Sequence, residues 1–332
     1  MKAFFIEGYG KQNGRIGEMP DPEPGAHEVL VQVHATSVNQ LDSKIRAGEF
    51  KLILPYSFPL ILGNDLAGTV VRTGSAVTLF KPGDEVYARP PDNRIGTFAQ
   101  LIAVNENALA LKPSNISMAE AASIPLVALT AWQALVETAH LKKGQKVLIH
   151  AGSGGVGTLA IQLAKHLGAF VATTTSTSNI GWVKALGADV VIDYKKQNFE
   201  TELHDYDVVL NSLGADALEK SLKVLKPGGQ LISISGPPTV QFAQQQHLFW
   251  GLRQVMRLLS SGIRRKARRH GVSYTFLFMR ANGAQLKEIT TLIEAGVIKP
   301  VIDRTFSFEE TSQALSYVEQ GRSKGKVTIL IK

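Results

Sequence analysis

Hydrophobic and polar positions change their rhythm twice along this chain. Up to about residue 120, short β-branched or aromatic runs recur: KAFFIE, EVLVQVHATSV, LAGTVVRTG and DEVYAR. Gly/Pro punctuation such as PDPEPG and KPGD separates them, the pattern of a small barrel or sandwich. The stretch MAEAASIPLVALTAWQALVETAHL is then Ala/Leu-rich with helical spacing, interrupted at Pro125. From residue 145 strands and helices alternate. QKVLIH, FVATTT, DVVIDY, YDVVLNSL and GQLISIS read as strands, and GVGTLAIQLAKHLGA, GWVKALGA and ALEKSLKVL as helices. Such alternation predicts an α/β fold with a doubly wound, Rossmann-type parallel sheet covered by helices on both faces. After about residue 270 come a predicted strand (YTFLFM), two helices (GAQLKEITTLIEAG and EETSQALSYVEQG) and a closing strand (KVTILI).

Size and composition narrow the function. A chain of 332 residues is too long for one ordinary core and suits two domains. No apolar run reaches the ~18–20 residues of a membrane-spanning helix. The opening MKAFFI lacks the features of a secretory signal, so a cytoplasmic protein is expected. The chain has no cysteine, which excludes disulfides, thiolate catalysis and Cys-ligated zinc. The net charge of +8 is unevenly spread: Lys220 to Lys287 holds twelve Lys/Arg and no Asp or Glu, leaving −4 for the rest.

The motif Gly152-Ser153-Gly154-Gly155-Val156-Gly157 follows a predicted strand and opens a predicted helix. Its first glycine permits a tight turn, its second lets backbone approach a pyrophosphate, and its third lets helix pack on strand. Backbone N–H groups and the helix dipole favour the anion, so the motif predicts a dinucleotide site. An NAD-preferring site usually carries Asp or Glu ~20 residues on, to hold the ribose hydroxyls. No acidic residue occurs between Gly152 and Asp189; the next strand ends in TTTSTSN, with Thr174, Thr175 and Ser176. Hydroxyls suit a 2′-phosphate that a carboxylate would repel, which argues for NADPH. The alternative is a hydroxyl-rich loop with no part in discrimination, since it contains no Arg or Lys.

Several separated motifs resemble the medium-chain dehydrogenase/reductase superfamily, specifically its zinc-free quinone oxidoreductase and enone (alkenal) reductase branch. They are ATSVNQLDSKIRAGEF (35–50), PLILGNDLAGTVVRTGSAV (59–77), KPGDEVYA (81–88), ALTAWQAL (128–135), AGSGGVGTLAIQLAKHLGA (151–169), ALGADVVIDY (185–194) and GKVTIL (325–330). The resemblance implies a β-rich GroES-like catalytic domain beside the Rossmann-type one. It places the first catalytic segment at 1–124, the nucleotide-binding domain at 125–269 and a returning segment at 270–332. A homodimer is also implied.

The same resemblance says where zinc ligands would stand. The position of Asn39 is typically Cys in zinc-dependent relatives and that of Asn64 is His. Both are amides here, poor zinc ligands, and the four-cysteine lobe is replaced by ARPPDNRIGT. None of the eight His forms an HxxxH pair, so no metal is expected. An unmetalled site suits acceptors that are already electron-poor, quinones or α,β-unsaturated carbonyls, because a simple ketone leans on an electrophile to polarise its oxygen. The implied activity is zinc-independent, NADPH-dependent hydride transfer to such acceptors. The alternatives are a zinc-type alcohol or aldehyde dehydrogenase, and a non-enzymatic NADPH-binding protein that docks on membrane or RNA.

By resemblance, Asn39, Asp42 and Lys44 form the catalytic set, with Asn39 orienting nicotinamide or substrate and Asp42 holding the charge of Lys44, which donates to the developing oxyanion. The local alternative is a surface turn with a weak Asp–Lys pair. Matching coenzyme positions are Thr130 near the nicotinamide or phosphate, Tyr194 on the adenosine, Asn211, Leu213 and Gly214 after the fourth strand, Ser235 and Gly236 after the fifth, Phe276 and Phe278 in TFLFM, and Lys324, Gly325 and Lys326 at a C-terminal turn. A Lys usual in the family is replaced by Asn179, a departure that weakens the NADPH assignment.

A basic insertion, about 244–270, exceeds what the family's connection needs. Leu248, Leu252, Val255, Leu259 and Ile263 fall on one predicted helical face, with Trp250, Arg253 and Arg257 elsewhere. A lid over the substrate pocket, peripheral contact with an anionic membrane, and a protein-partner surface are the open readings. Nucleic acid is a further reading, without a recognised module around the cluster.

Overall fold

In the computed structural model, which describes residues 1–331, the chain divides into two units: Met1–Leu129 with Arg280–Lys332, and Thr130–Met279.

The first unit is built around the long strand Glu28–Val38, buried along most of its length. It pairs antiparallel with Leu66–Thr73, Leu101–Asn105 and the chain's last strand, Lys326–Leu330. Lys326–Leu330 in turn pairs parallel with Ile302–Ser307, completing a seven-stranded sheet with Glu85–Ala88 and Leu109–Leu111. A smaller three-stranded sheet of Lys2–Ile6, Arg15–Glu18 and Leu60–Ile61 lies beside it. Phe4, Val31, Leu62, Leu66, Phe98 and Ile329 join in one apolar core; each such side chain contributes about 1.5–3 kcal/mol by leaving water. The helix Gln40–Ala47 follows the central strand directly and stops at Gly48, whose φ of 81° lies in the left-handed region that glycine tolerates.

The second unit carries a six-stranded, wholly parallel sheet: Lys146–Ile149, Phe170–Thr175, Val190–Asp193, Tyr206–Asn211, Leu225–Ser233 and Ser273–Phe276. Numbered in that sequence, the strands lie in the order 3-2-1-4-5-6. The helix Gly155–His166 crosses from the first strand to the second, burying Leu159, Ile161 and Leu163. Pro125 opens the helix Pro125–Trp132, where its missing N–H is harmless, and a π-helical turn, Gln133–Thr138, continues it. Because Ser273–Phe276 pairs with Leu225–Ser233, the sheet extends past residue 269, the boundary read from the sequence.

The basic insertion differs from its predicted form. It folds as two helical segments, Trp250–Leu259 and Ser261–Arg269, meeting at the buried Ser260. Met256, Ser260, Ile263 and Ala267 face inward, whereas Val255 and Leu259 of the predicted apolar stripe are exposed. Arg253, Gln254 and Arg257 take one side of the first segment, and its apolar arc is wider than the strip it buries, so spacing alone could not single out Met256.

Candidate active site

In the second unit the strand order reverses between the first and fourth strands, and ligands of such sheets bind outside the carboxyl ends at that point. The loops Ala151–Gly157 and Asn211–Gly214 leave from there. The three glycines of the first loop have different reasons to be there. A Cβ on Gly152 would lie 2.2 Å from Thr173 Oγ1, and one on Gly157 would lie 2.3 Å from the Ala151 carbonyl, so the protein's own packing excludes both. A Cβ on Gly154 would meet nothing closer than 3.4 Å. Its bareness serves something other than the fold. Gly154 is also the N-cap of Gly155–His166, whose first N–H groups have no partner within the helix and suit an anion. Ala151 holds φ at 53°, a left-handed backbone that costs a non-glycine residue about 1 kcal/mol.

Below this loop lies His150, whose Nδ1 is 3.2 Å from Thr174 Oγ1 and Nε2 2.9 Å from Ser221 Oγ. Burial pushes its imidazole down to about 4. Thr174 also accepts from the Ala151 N–H at 3.2 Å. Its hydroxyl, expected to face a 2′-phosphate, is therefore buried and supports the loop from beneath. Thr175 differs: its hydroxyl is buried with no partner among the described residues. Ser176 accepts from Asn179 at 3.1 Å and stands at the rim.

Sequence reasoning missed Asp193, which lies in register with Thr175 on the adjacent strand. Thr177 Oγ1 donates to it at 2.6 Å and the Lys195 N–H at 3.1 Å. The Thr177 bond above all holds this carboxyl below its ordinary range, helped by Lys195 and Lys196. Asp193 ends the strand Val190–Asp193, well beyond the ~20-residue spacing at which such an acid is expected. Tyr194 follows and is 61% exposed, free to pack on a planar ligand. Asn211 donates to the Leu213 carbonyl at 2.9 Å and Ser235 to the same carbonyl at 2.6 Å, which fixes the loop before Gly214. Gly236 donates to Ser233 at 2.9 Å. Phe276 meets Phe242 edge to face and Phe278 meets it at a tilt, with centroids 5.1 and 5.4 Å away. Thr130 is buried in its helix. The bare Gly154, the N-terminal amides of Gly155–His166, the orphaned Thr175 hydroxyl and the exposed Tyr194 together fit a dinucleotide.

In the first unit, Asn39, Asp42, Asn64, Asp65 and Lys326 form a buried network. Asp65 Oδ2 accepts from Asn39 Nδ2 at 2.8 Å, Ser37 Oγ at 2.7 Å and Lys326 Nζ at 3.2 Å. Its other oxygen accepts from the Leu126 N–H at 2.7 Å, at the start of the helix Pro125–Trp132. Lys326 Nζ also donates to Asn39 Oδ1 at 2.5 Å. Asp42 accepts from the Asn39 N–H and from Asn64 Nδ2, each at 2.7 Å. Desolvation is the largest influence on Asp42 and raises its carboxyl to about 6, against these hydrogen bonds.

Two expectations change here. Asp42 spends both oxygens on Asn39 and Asn64, and makes no ion pair with the half-buried Lys44. Lys326, expected beside the coenzyme at a turn, instead is buried and answers Asp65. Lys324 is exposed, and Gly325 sits at φ 77° with no room for a Cβ against the Val301 carbonyl. Asp65 itself was not singled out in the sequence; its partner is 261 residues away and no spacing rule joins them. The residues do not fit a catalytic zinc. The two amides are poor donors, and an ammonium already lies on Asn39 Oδ1 and Asp65. Among the described residues, no three His, Cys, Asp or Glu side chains group to hold a metal.

Comparison with known proteins agrees with this architecture. Residues 25–114 match the alcohol dehydrogenase GroES-like domain family, and residues 186–329 the zinc-binding dehydrogenase family. The chain is 35% identical to a mitochondrial NAD(P)H oxidoreductase (RTN4IP1) of Danio rerio, over 100% of this chain and 91% of that protein. It is 37% identical to a chloroplastic NADPH-dependent alkenal/one oxidoreductase of Arabidopsis thaliana, over 99% of this chain and 79% of the other. The quinone oxidoreductase structure from Coxiella burnetii superposes with a TM-score of 0.87 at 30% identity, covering 100% of this chain and 99% of that one. With its sheet order, its Gly-rich turn and relatives matching from end to end, the chain belongs to the medium-chain dehydrogenase/reductase superfamily.

Proposed function

We propose that this protein is an NADPH-dependent reductase of quinones or α,β-unsaturated carbonyls that works without zinc. The observation carrying this reading is the Lys326–Asn39–Asp65 cluster, in which a buried ammonium lies on Asn39, an amide at a position where the resemblance puts a zinc ligand. When bound, reduced nicotinamide supplies a hydride. The protein's part is to position it and to favour the charge that develops on the acceptor.

Gly154 and the start of the helix Gly155–His166 are proposed to hold the pyrophosphate, Tyr194 the adenosine, and the loop fixed by Asn211 and Ser235 the nicotinamide ribose. For the 2′-phosphate, Ser176 and the cations Lys195 and Lys196 replace the family lysine missing at Asn179. Asp193 stays ionised, since its oxygens accept from Thr177 and the Lys195 N–H, and in this assignment Lys195 and Lys196 outweigh its charge. Asn39 is a positioning residue, with both ends of its amide bound to Lys326 and Asp65. Lys44, free of Asp42, is the proposed donor to the developing oxyanion. The names of the Arabidopsis and Coxiella relatives support the two acceptor classes.

The test is steady-state turnover with NADPH and NADH against quinones, enones and simple ketones. The reading expects quinone or enone reduction with NADPH preferred. Coenzyme binding without turnover on any acceptor would return the protein to the non-enzymatic class.

A further inference from the structure

The helix Trp250–Leu259 turns its apolar side chains outward. Met256 is its buried residue, and at 100° per residue Trp250, Val255 and Leu258 lie away from it, while Leu259, about 60° from Met256, ends the helix at its flank. Trp250 is 74% exposed, Leu258 72% and Leu259 59%, and Phe249, just before the helix, is 68% exposed. A soluble surface scatters such residues singly; here Trp250, Val255 and Leu258 share the outward side of one helix, with Phe249 just before it. The next helix, Ser261–Arg269, buries Ile263 and Ala267 and exposes Arg265, Lys266, Arg268 and Arg269. Lys266 pairs with Glu219 at 2.5 Å. Arg257, Arg265, Arg268 and Arg269 have no carboxylate partner among the described residues, and none lies nearby in sequence, since 220–287 contains no Asp or Glu.

We propose that these two helices dock the protein on the surface of an anionic lipid bilayer. Phe249, Trp250, Val255 and Leu258 enter the boundary between headgroups and acyl chains, and the arginines engage lipid phosphates. Charge complementarity selects this occupant. A second copy of the chain would bring one uncompensated cationic face against another. A nucleic acid would satisfy the arginines but leave the apolar row in water. A bilayer answers both halves, and an aromatic residue flanked by leucine and arginine is what interfacial helices use. Among the described residues, no helix is long and apolar enough to cross a membrane.

The test is co-sedimentation of the full-length protein with phosphatidylcholine vesicles, with and without a quarter phosphatidylglycerol. Two surface variants accompany it: Trp250→Ser with Leu258→Ser, and Arg265→Glu with Arg269→Glu. The wild type should pellet with the anionic vesicles only, and 0.5 M salt should release it. Each variant should bind at least tenfold more weakly, since each basic residue is worth about fivefold at such a surface. Circular dichroism and NADPH affinity should stay at wild-type values, showing that the loss is not unfolding. Failure of the wild type to bind anionic vesicles overturns the proposal, as does equal binding by the variants. Tight oligonucleotide binding that outcompetes vesicles, or a dimer that the Trp250/Leu258 variant splits, would assign the face to another occupant and equally overturn it.

Discussion

Lys326 Nζ lies 3.2 Å from Asp65 Oδ2, and both side chains are buried. An ion pair in such a place is costly to form and more costly to break, because removing one partner strands the other charge. Lys326→Met should therefore lower stability by about 3–5 kcal/mol, read as a shift in the urea midpoint. The double variant Lys326→Met/Asp65→Asn should recover more than half of that loss. Losses that simply add would show the two residues to be uncoupled.

The glycine loop separates packing from binding. Gly154→Ala has room for its methyl group in the free protein, so stability should change by less than about 1 kcal/mol while NADPH affinity falls at least tenfold. Gly157→Ala forces Cβ to 2.3 Å from the Ala151 carbonyl and should lose both stability and affinity. Calorimetric titration beside thermal melts distinguishes the two. An unimpaired Gly154→Ala enzyme would remove the pyrophosphate from that loop.

His150 and Asp42 give stability opposite slopes with pH. His150 is held at about 4 against an ordinary 6.5, so between those values the unfolded chain takes a proton that the folded one refuses. Stability from this residue is complete above about pH 6.5 and falls by up to about 3 kcal/mol as pH drops to 4. Asp42, raised to about 6, is protonated in the folded state while the unfolded chain is still ionised, so its contribution grows as pH falls from about 6 towards 4. In the wild type these two slopes oppose one another. His150→Gln should expose the Asp42 slope and gain stability relative to wild type on acidification. Parallel denaturation curves from pH 7 to 4 would contradict this assignment.

Lys195 and Lys196 are exposed beside Asp193, at the end of the strand next to Thr175 and Ser176. Replacing both with Ala should raise the KM for NADPH about tenfold and leave that for NADH within a factor of two, because only the former carries the 2′-phosphate. An equal change for both coenzymes would place the lysines elsewhere.

Local patterns made the second unit legible. The βα alternation and the glycine spacing are short-range signals, and the parallel sheet from Lys146–Ile149 to Leu225–Ser233 follows from them. The first unit's network was not legible, because Asp65 and Lys326 meet only when the last strand, Lys326–Leu330, pairs antiparallel with Glu28–Val38. Asp42 and Lys44, two residues apart, were paired in its place; on the helix Gln40–Ala47 side chains at that spacing point in different directions. Thr174 and Thr175 show a similar limit. Alternation along a strand sends neighbours to opposite faces, yet the sequence could not say which hydroxyl the loop beneath Ala151 would claim.

We propose that this fold delivers hydride to electron-poor acceptors with an ammonium, not a metal, beside Asn39. Turnover of NADPH with a quinone or enone, measured on protein stripped by a strong chelator and analysed for zinc, tests it most directly. The expected result is an unchanged kcat with far less than one zinc per chain. Activity that vanishes on stripping and returns in proportion to added zinc would contradict it.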